Sequence, residues 1–143
     1  MVQPLPYSNP LGTNQALLQN IAQAWGYVLP GGSLVGSSGA RPGGRPGSQH
    51  YSGNAWDYQV LRGDGSVVRW DAPEVSAAAQ IFAALTGQNV GVGWGPNYMG
   101  GSYFHFDDGM NPHAPRSRVM YWSDDDGTAS DTGPGAAQFG QLV

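Results

Sequence analysis

The sequence predicts an α+β fold: a small, mainly antiparallel sheet with two helices on one face and an open cleft on the other. Three observations lead there. Two apolar stripes recur at helical spacing, one near residues 14 to 25 and one near residues 73 to 86. Around them lie short runs rich in Val, Tyr, Phe and Trp, punctuated by glycine. One run, Tyr103-Phe104-His105-Phe106-Asp107, alternates so strictly that Phe104 and Phe106 must be covered while His105 and Asp107 face outward.

In chain order, residues 1 to 12 carry prolines and a Ser8-Asn9-Pro10 turn signal, which predicts an extended N-terminal arm. Thr13 or Asn14 offers an N-cap. Leu17, Leu18, Ile21 and Trp25 then mark one helix face, and Gly26 is placed to end that helix. In the second helix Asp71 and Glu74 form a capping box and Pro73 suits the first turn. Val75, Ala78, Phe82 and Leu85 make its apolar face, and Gly87 stops it. Strands are expected at Tyr27 to Leu29, Leu34 to Ser37, Ala55 to Leu61, Val67 to Trp70, Val90 to Trp94, Tyr103 to Asp107 and Val119 to Trp122. Gly63-Asp64-Gly65 is a hairpin turn. Arg62-Gly63-Asp64 also spells a cell-adhesion tripeptide, but the turn accounts for its glycines. Pro42 to Gly47 reads as a Gly/Pro/Arg loop, and 123–143 as an acidic, Gly/Ala-rich C-terminal tail, leaving 13–122 as the domain.

A chain of 143 residues has room for one core. Its 23 glycines and 11 prolines push towards disorder, yet 5 Trp, 7 Tyr and 4 Phe argue for packing. Only 11% of residues are charged and the net charge is -4, so the sequence offers no basic stripe and no nucleic-acid partner is expected. The absence of Cys excludes thiolate metal sites, disulfides and cysteine nucleophiles, leaving His and carboxylates to hold any metal. No apolar run is long enough to span a membrane, and the start of the chain does not read as a signal peptide.

Two of the three His sit where a metal site would use them. His50 opens a glycine-bearing loop that becomes a strand whose Ala55, Asp57 and Gln59 share one face. His105 shares a strand face with Asp107. If the two strands are neighbours, His50, Asp57 and His105 converge on one point, and two imidazoles with a carboxylate are a three-ligand set for catalytic Zn²⁺. The competing reading makes His50 a loop hydrogen-bonder, Asp57 a turn cap and His105 a half-buried strand histidine. His113, between Pro112 and Pro115, reads as a solvated loop residue.

Ser48-Gln49-His50 followed by Gly53, Ala55 and Asp57, with a later Phe104-His105-Phe106-Asp107, resembles the M15 family of zinc D-Ala-D-Ala peptidases, which share the fold of the Hedgehog signalling domain. The family signature is Ser-x-His-x-x-Gly-x-Ala-x-Asp with a distant His-x-Asp. Gly39-Ala40-Arg41-Pro42 is similar to its Ser-Gly-Tyr-Arg element, and Val90 to Trp94 to its glycine-rich strand, so the likeness covers roughly residues 34 to 122. The resemblance implies that His50, Asp57 and His105 are the zinc ligands and that Arg41 binds a substrate carbonyl or carboxylate. Arg45 is the substitute for Arg41. It also implies an acidic general base three residues before the last ligand, where this chain has Ser102, which cannot take a proton at neutral pH. Asp107 is then the nearest substitute base or a support for an imidazole, with Asp108 a further candidate.

The function implied is hydrolysis of an amide in peptidoglycan stem peptides by a zinc peptidase, of carboxypeptidase or endopeptidase type. With no signal peptide and a substrate outside the cytoplasm, the expected setting is a phage lysin or virion-borne wall hydrolase, in the virion or in the host cytoplasm before release. The alternative is a weak or inactive module of the same fold, serving as a virion structural or binding protein among other virion proteins. A cytoplasmic binding domain without metal is the third reading.

Overall fold

The structure, a computed structural model, describes residues 2–8, 12–39, 49–87, 90–96, 98–109 and 120–122. Arg41, Arg45, Ser48, His113, the Pro42 to Gly47 loop and the 123–143 tail lie outside the described residues. The described residues form an α+β fold of two helices, α1 (Gln15–Val28) and α2 (Pro73–Thr86), and five strands, β1 (Ser33–Ser38), β2 (Ala55–Leu61), β3 (Gly91–Gly93), β4 (Phe104–Asp107) and β5 (Met120–Trp122). Their order in the sheet is β1-β2-β4-β3-β5. The first four pair antiparallel, and β5 adds to β3 in parallel.

Period-two alternation decides what each face of this sheet carries. Trp56 and Tyr58 on β2, Val92 on β3, and Phe104 and Phe106 on β4 are fully buried. This is the face the helices cover. Trp25 of α1 lies 5.7 Å from the Phe104 ring and donates its indole N–H to the Tyr58 hydroxyl at 2.9 Å, while Phe82 of α2 lies 4.8 Å from Phe106. Such ring pairs add about 0.5 to 1.5 kcal/mol each beyond the burial of their area. Trp56 stacks on Tyr58 at 4.8 Å and lies over β1 at Gly36, where any Cβ would overlap the indole. Trp56 is therefore core, as is Trp94.

Several local expectations are corrected. α1 does not stop at Gly26. The helix runs on to Val28 and takes Tyr27 and Val28 from the expected strand, and Gly26 instead makes room for the Gln3 carbonyl, which a Cβ would overlap. Asn14 does cap this helix, accepting from the Ala16 N–H at 3.0 Å. The Asp71/Glu74 capping box does not form. The N-cap is Ala72, with no side-chain cap, and Glu74 instead meets the Arg62 guanidinium at 3.1 Å. Gly87 ends α2 in the left-handed region at φ 65, as expected. Val67 to Trp70 is no strand: a single antiparallel bridge joins Val67 to Leu61, and the Val68 N–H donates to the Val60 carbonyl at 2.9 Å. The turn before it closes through Arg62 N–H to the Ser66 carbonyl at 2.8 Å, with Gly65 at φ 87 and the Asp64 carboxylate accepting from the Ser66 N–H.

The N-terminal arm is tied down at three points. The Leu5 N–H donates to the Ala22 carbonyl, Gln23 donates to the Val2 carbonyl, and the Pro6 carbonyl accepts the Leu34 N–H of β1 at 3.0 Å. Tyr7 bridges to Leu34 in parallel.

Candidate metal centre

The β2–β4 register sets Asp57 directly opposite His105, so both side chains leave the sheet on the face away from the helices. His50 arrives from a 3-10 turn, Gln49–Ser52, that precedes β2. Gly53, at φ 74, lets the chain reverse from that turn into the strand. The Gly53 N–H donates to the His50 carbonyl, and the Asn54 N–H to the Gln49 carbonyl, which fixes the turn against the start of β2.

His50, Asp57 and His105 are all buried, at 5%, 3% and 6% exposure, and their ligand atoms lie within 4.8 Å of one another. Asp57 stands between the two rings. His50 Nε2 is 3.3 Å from its Oδ2, and His105 Nδ1 is 3.0 Å from its Oδ1. The other nitrogen of each ring is occupied from behind. His50 Nδ1 lies 2.7 Å from the Gly39 carbonyl, which can only accept, so Nδ1 carries the proton. His105 Nε2 lies 2.9 Å from Asp107 Oδ2. The Asp57 carboxylate thus faces one nitrogen of each ring, and each of those nitrogens can donate a proton to Asp57 or, when unprotonated, turn a lone pair to the same point. The buried His50, Asp57 and His105 group can therefore hold a metal ion.

The electrostatics agree. Burial works to raise the Asp57 carboxyl, but hydrogen bonds from His105 and His50 outweigh it and hold Asp57 far below the usual carboxylate range. For His105, burial acts to lower the imidazole, yet the carboxylates of Asp107 and Asp57 prevail and raise it to about 9. A group that favours positive charge at its centre suits a dication.

Asp107 is fully buried and engaged by both oxygens, Oδ2 at His105 and Oδ1 by the Gly109 N–H at 3.1 Å. Its contacts are those of a residue that orients His105. Room for it comes from Gly91, its partner across β3–β4, where a Cβ would overlap the Asp107 carboxylate. Asp108 is buried away from this group, where its carboxylate is 3.5 Å from the Asn14 amide. The Ser102 hydroxyl accepts from Gln59 Nε2 at 3.4 Å, two residues along β2 from Asp57.

Sequence reasoning brought His50, Asp57 and His105 together but missed two supports, the Gly39 carbonyl behind His50 and Gly91 beneath Asp107. A glycine opposite a buried carboxylate, as in Gly91-Val92-Gly93, is the signal that would have pointed to the second. No family model matches the chain, and no curated protein is similar to it at a significant level.

Proposed function

We propose that the chain is a zinc-dependent peptidase that hydrolyses amide bonds in peptidoglycan stem peptides, on a Hedgehog/DD-peptidase-like fold. The observation that carries this is the convergence of two imidazole nitrogens and one carboxylate on a single buried point. When bound there, a divalent ion supplies Lewis-acid polarisation of the scissile carbonyl and acidifies water. The chain's own residues do the rest. Asp57 holds both rings, Gly39 and Asp107 fix their tautomers, and the aromatic wall of the sheet keeps solvent from the far side. Zinc is chosen over other dications because imidazole-rich sets with one carboxylate suit it, although such a set also accepts its neighbours in the first transition row. By the resemblance of its motifs, Arg41 takes a substrate carbonyl or carboxylate, and the setting is a phage lysin or a virion-borne wall hydrolase.

A second reading, a weak or inactive module in a virion, is favoured by one observation. Ser102 occupies the position of the expected acidic base and is bonded to Gln59 instead. Native mass spectrometry and release of amino groups from purified peptidoglycan, measured on one preparation, separate the readings. The expected result is one ion per chain, lost in His50→Ala, and turnover that disappears with the ion. Bound metal without turnover establishes the second reading, and a stoichiometry unchanged in His50→Ala sinks the site.

A further inference from the structure

A second polar group lies at the end of the β2–β4 ladder, three residues, roughly 10 Å, along β2 from Asp57. Asn14, Asn54 and Asp108 form it, and they come from three separate segments: the N-cap of α1, the residue before β2 and the residue after β4. Asn54 and Asp108 are buried. The Asn14 side chain is used at both ends. Its Oδ1 accepts the Ala16 N–H at 3.0 Å, which caps the helix, while its Nδ2 donates to Asn54 Oδ1 at 3.3 Å and stands 3.5 Å from Asp108 Oδ2. Backbone bonds close the group. The Asn14 N–H donates to the Gly53 carbonyl at 2.8 Å, and the Asp108 N–H donates to the Asn54 carbonyl at 3.2 Å.

Each of these contacts leads to a segment that carries part of the metal group. The Gly53 N–H donates to the His50 carbonyl and the Asn54 N–H to the Gln49 carbonyl, so a hold on Gly53 and Asn54 is a hold on the turn that presents His50. Asp108 follows Asp107, which stands 2.9 Å from His105 Nε2. His50 has the greatest need of such a hold, because Asp57 and His105 are paired in one ladder whereas His50 lies in a four-residue 3-10 turn outside the sheet. Capping alone does not account for the asparagine. A cap needs only the oxygen, and Ser or Asp supplies one equally well, so what the amide adds at position 14 is its donor.

We propose that Asn14 is a positioning residue for the metal centre, holding the His50 turn and the end of β4 in their mutual register before an ion binds. This rests on the reading of His50, Asp57 and His105 as metal ligands, and it holds for any chemistry the centre performs. The effect is preorganisation. Where the ligands converge in only a fraction of the molecules, the apparent affinity falls by that fraction. Asn14 acts through Gly53, Asn54 and Asp108 and takes no part in proton transfer.

The test is the zinc affinity of the whole chain, read by competition with a chromophoric chelator at a temperature where circular dichroism shows the metal-free protein to be folded. Asn14→Ser keeps a good cap but falls short of Asn54 and Asp108. It should weaken zinc binding by about tenfold, the low end of the scale for groups that orient a metal ligand, with one ion per chain still bound at saturation. Asp108→Ala should lose a similar amount, Asp108→Asn, which keeps an oxygen for the Asn14 amide, should recover most of it, and Asn14→Ser/Asp108→Ala should bind no more weakly than either single variant. A contact that stabilised the fold equally with and without metal would leave the affinity untouched. Zinc affinity in Asn14→Ser within about twofold of wild type, or additive losses in the double variant, overturns the proposal and leaves the metal centre standing. If Asn14→Ser does not fold, the Asp108 variants decide: equal affinity in Asp108→Ala and wild type overturns the proposal. A wild-type chain that binds no zinc removes the metal centre and the role of Asn14 with it. Zinc binding that depends on Asn14, in a protein that cleaves no peptidoglycan, upholds Asn14 and removes the peptidase reading instead.

Discussion

In the absence of metal, the stability of the protein should depend on pH in an unusual way, set by His105. The imidazole rises from an ordinary 6.5 to about 9, because Asp107 and Asp57 outweigh its burial. At about 1.4 kcal/mol per unit, this comes to about 3 kcal/mol, a sizeable share of the roughly 5 to 15 kcal/mol typical of a domain. Asp57 moves down through the same contacts, so the energy belongs to the cluster and is counted once. The sign is set by proton binding. Above pH 6.5 the unfolded imidazole has lost its proton while the folded one retains it, so stability falls as pH rises and the contribution is gone above about 9. On the acid side the depressed Asp57 carboxyl stabilises the fold above its unfolded value of 3.8, and that contribution is lost as pH falls below it. The metal-free protein is thus most stable between about pH 4 and 6.5. Urea unfolding in chelator at pH 6, 7, 8 and 9 measures the basic limb. His105→Gln should flatten it, and saturating zinc should reverse its slope, because ligation releases protons. A wild-type protein equally stable at pH 6.5 and 9 in chelator would refute the reasoning.

Two further outcomes are expected. Gly91→Ala places a methyl on the Asp107 carboxylate and should weaken zinc affinity by about ten- to a hundredfold, the usual cost of disturbing a residue that orients a metal ligand. Since Gly91 acts through Asp107, Gly91→Ala/Asp107→Ala should bind zinc no more weakly than Asp107→Ala alone, and additive losses by zinc titration would show that it does not. Ser102→Asp should raise peptidoglycan hydrolysis if the chain lacks only its base. Unchanged turnover at full zinc occupancy would remove that explanation.

The features legible in the sequence were those governed by short periods. Asp57 and His105 could be placed on a common face because a strand alternates every two residues, and pairing β2 with β4 then left little freedom. α2 was equally plain, from its Pro73 start to its Gly87 end. Long-range backbone contacts were not legible. Tyr27 and Val28 have the composition of a strand, yet the helix anchored by buried Trp25 continues through them, past a glycine needed only because Gln3 packs there. Glu74 looked like a capping residue until the turn at Gly63 to Gly65 brought Arg62 to it.

The tethered arm has a consequence for behaviour in solution. β1 is an edge strand, and an exposed edge is a template on which a second molecule can hydrogen-bond. The Pro6 carbonyl and the Tyr7 bridge occupy that template at Leu34, and the register shift between Gly36 and Ser38 bends the end of the strand out of a regular ladder. The N-terminal arm thereby covers the β1 edge at Leu34 against intermolecular β-pairing.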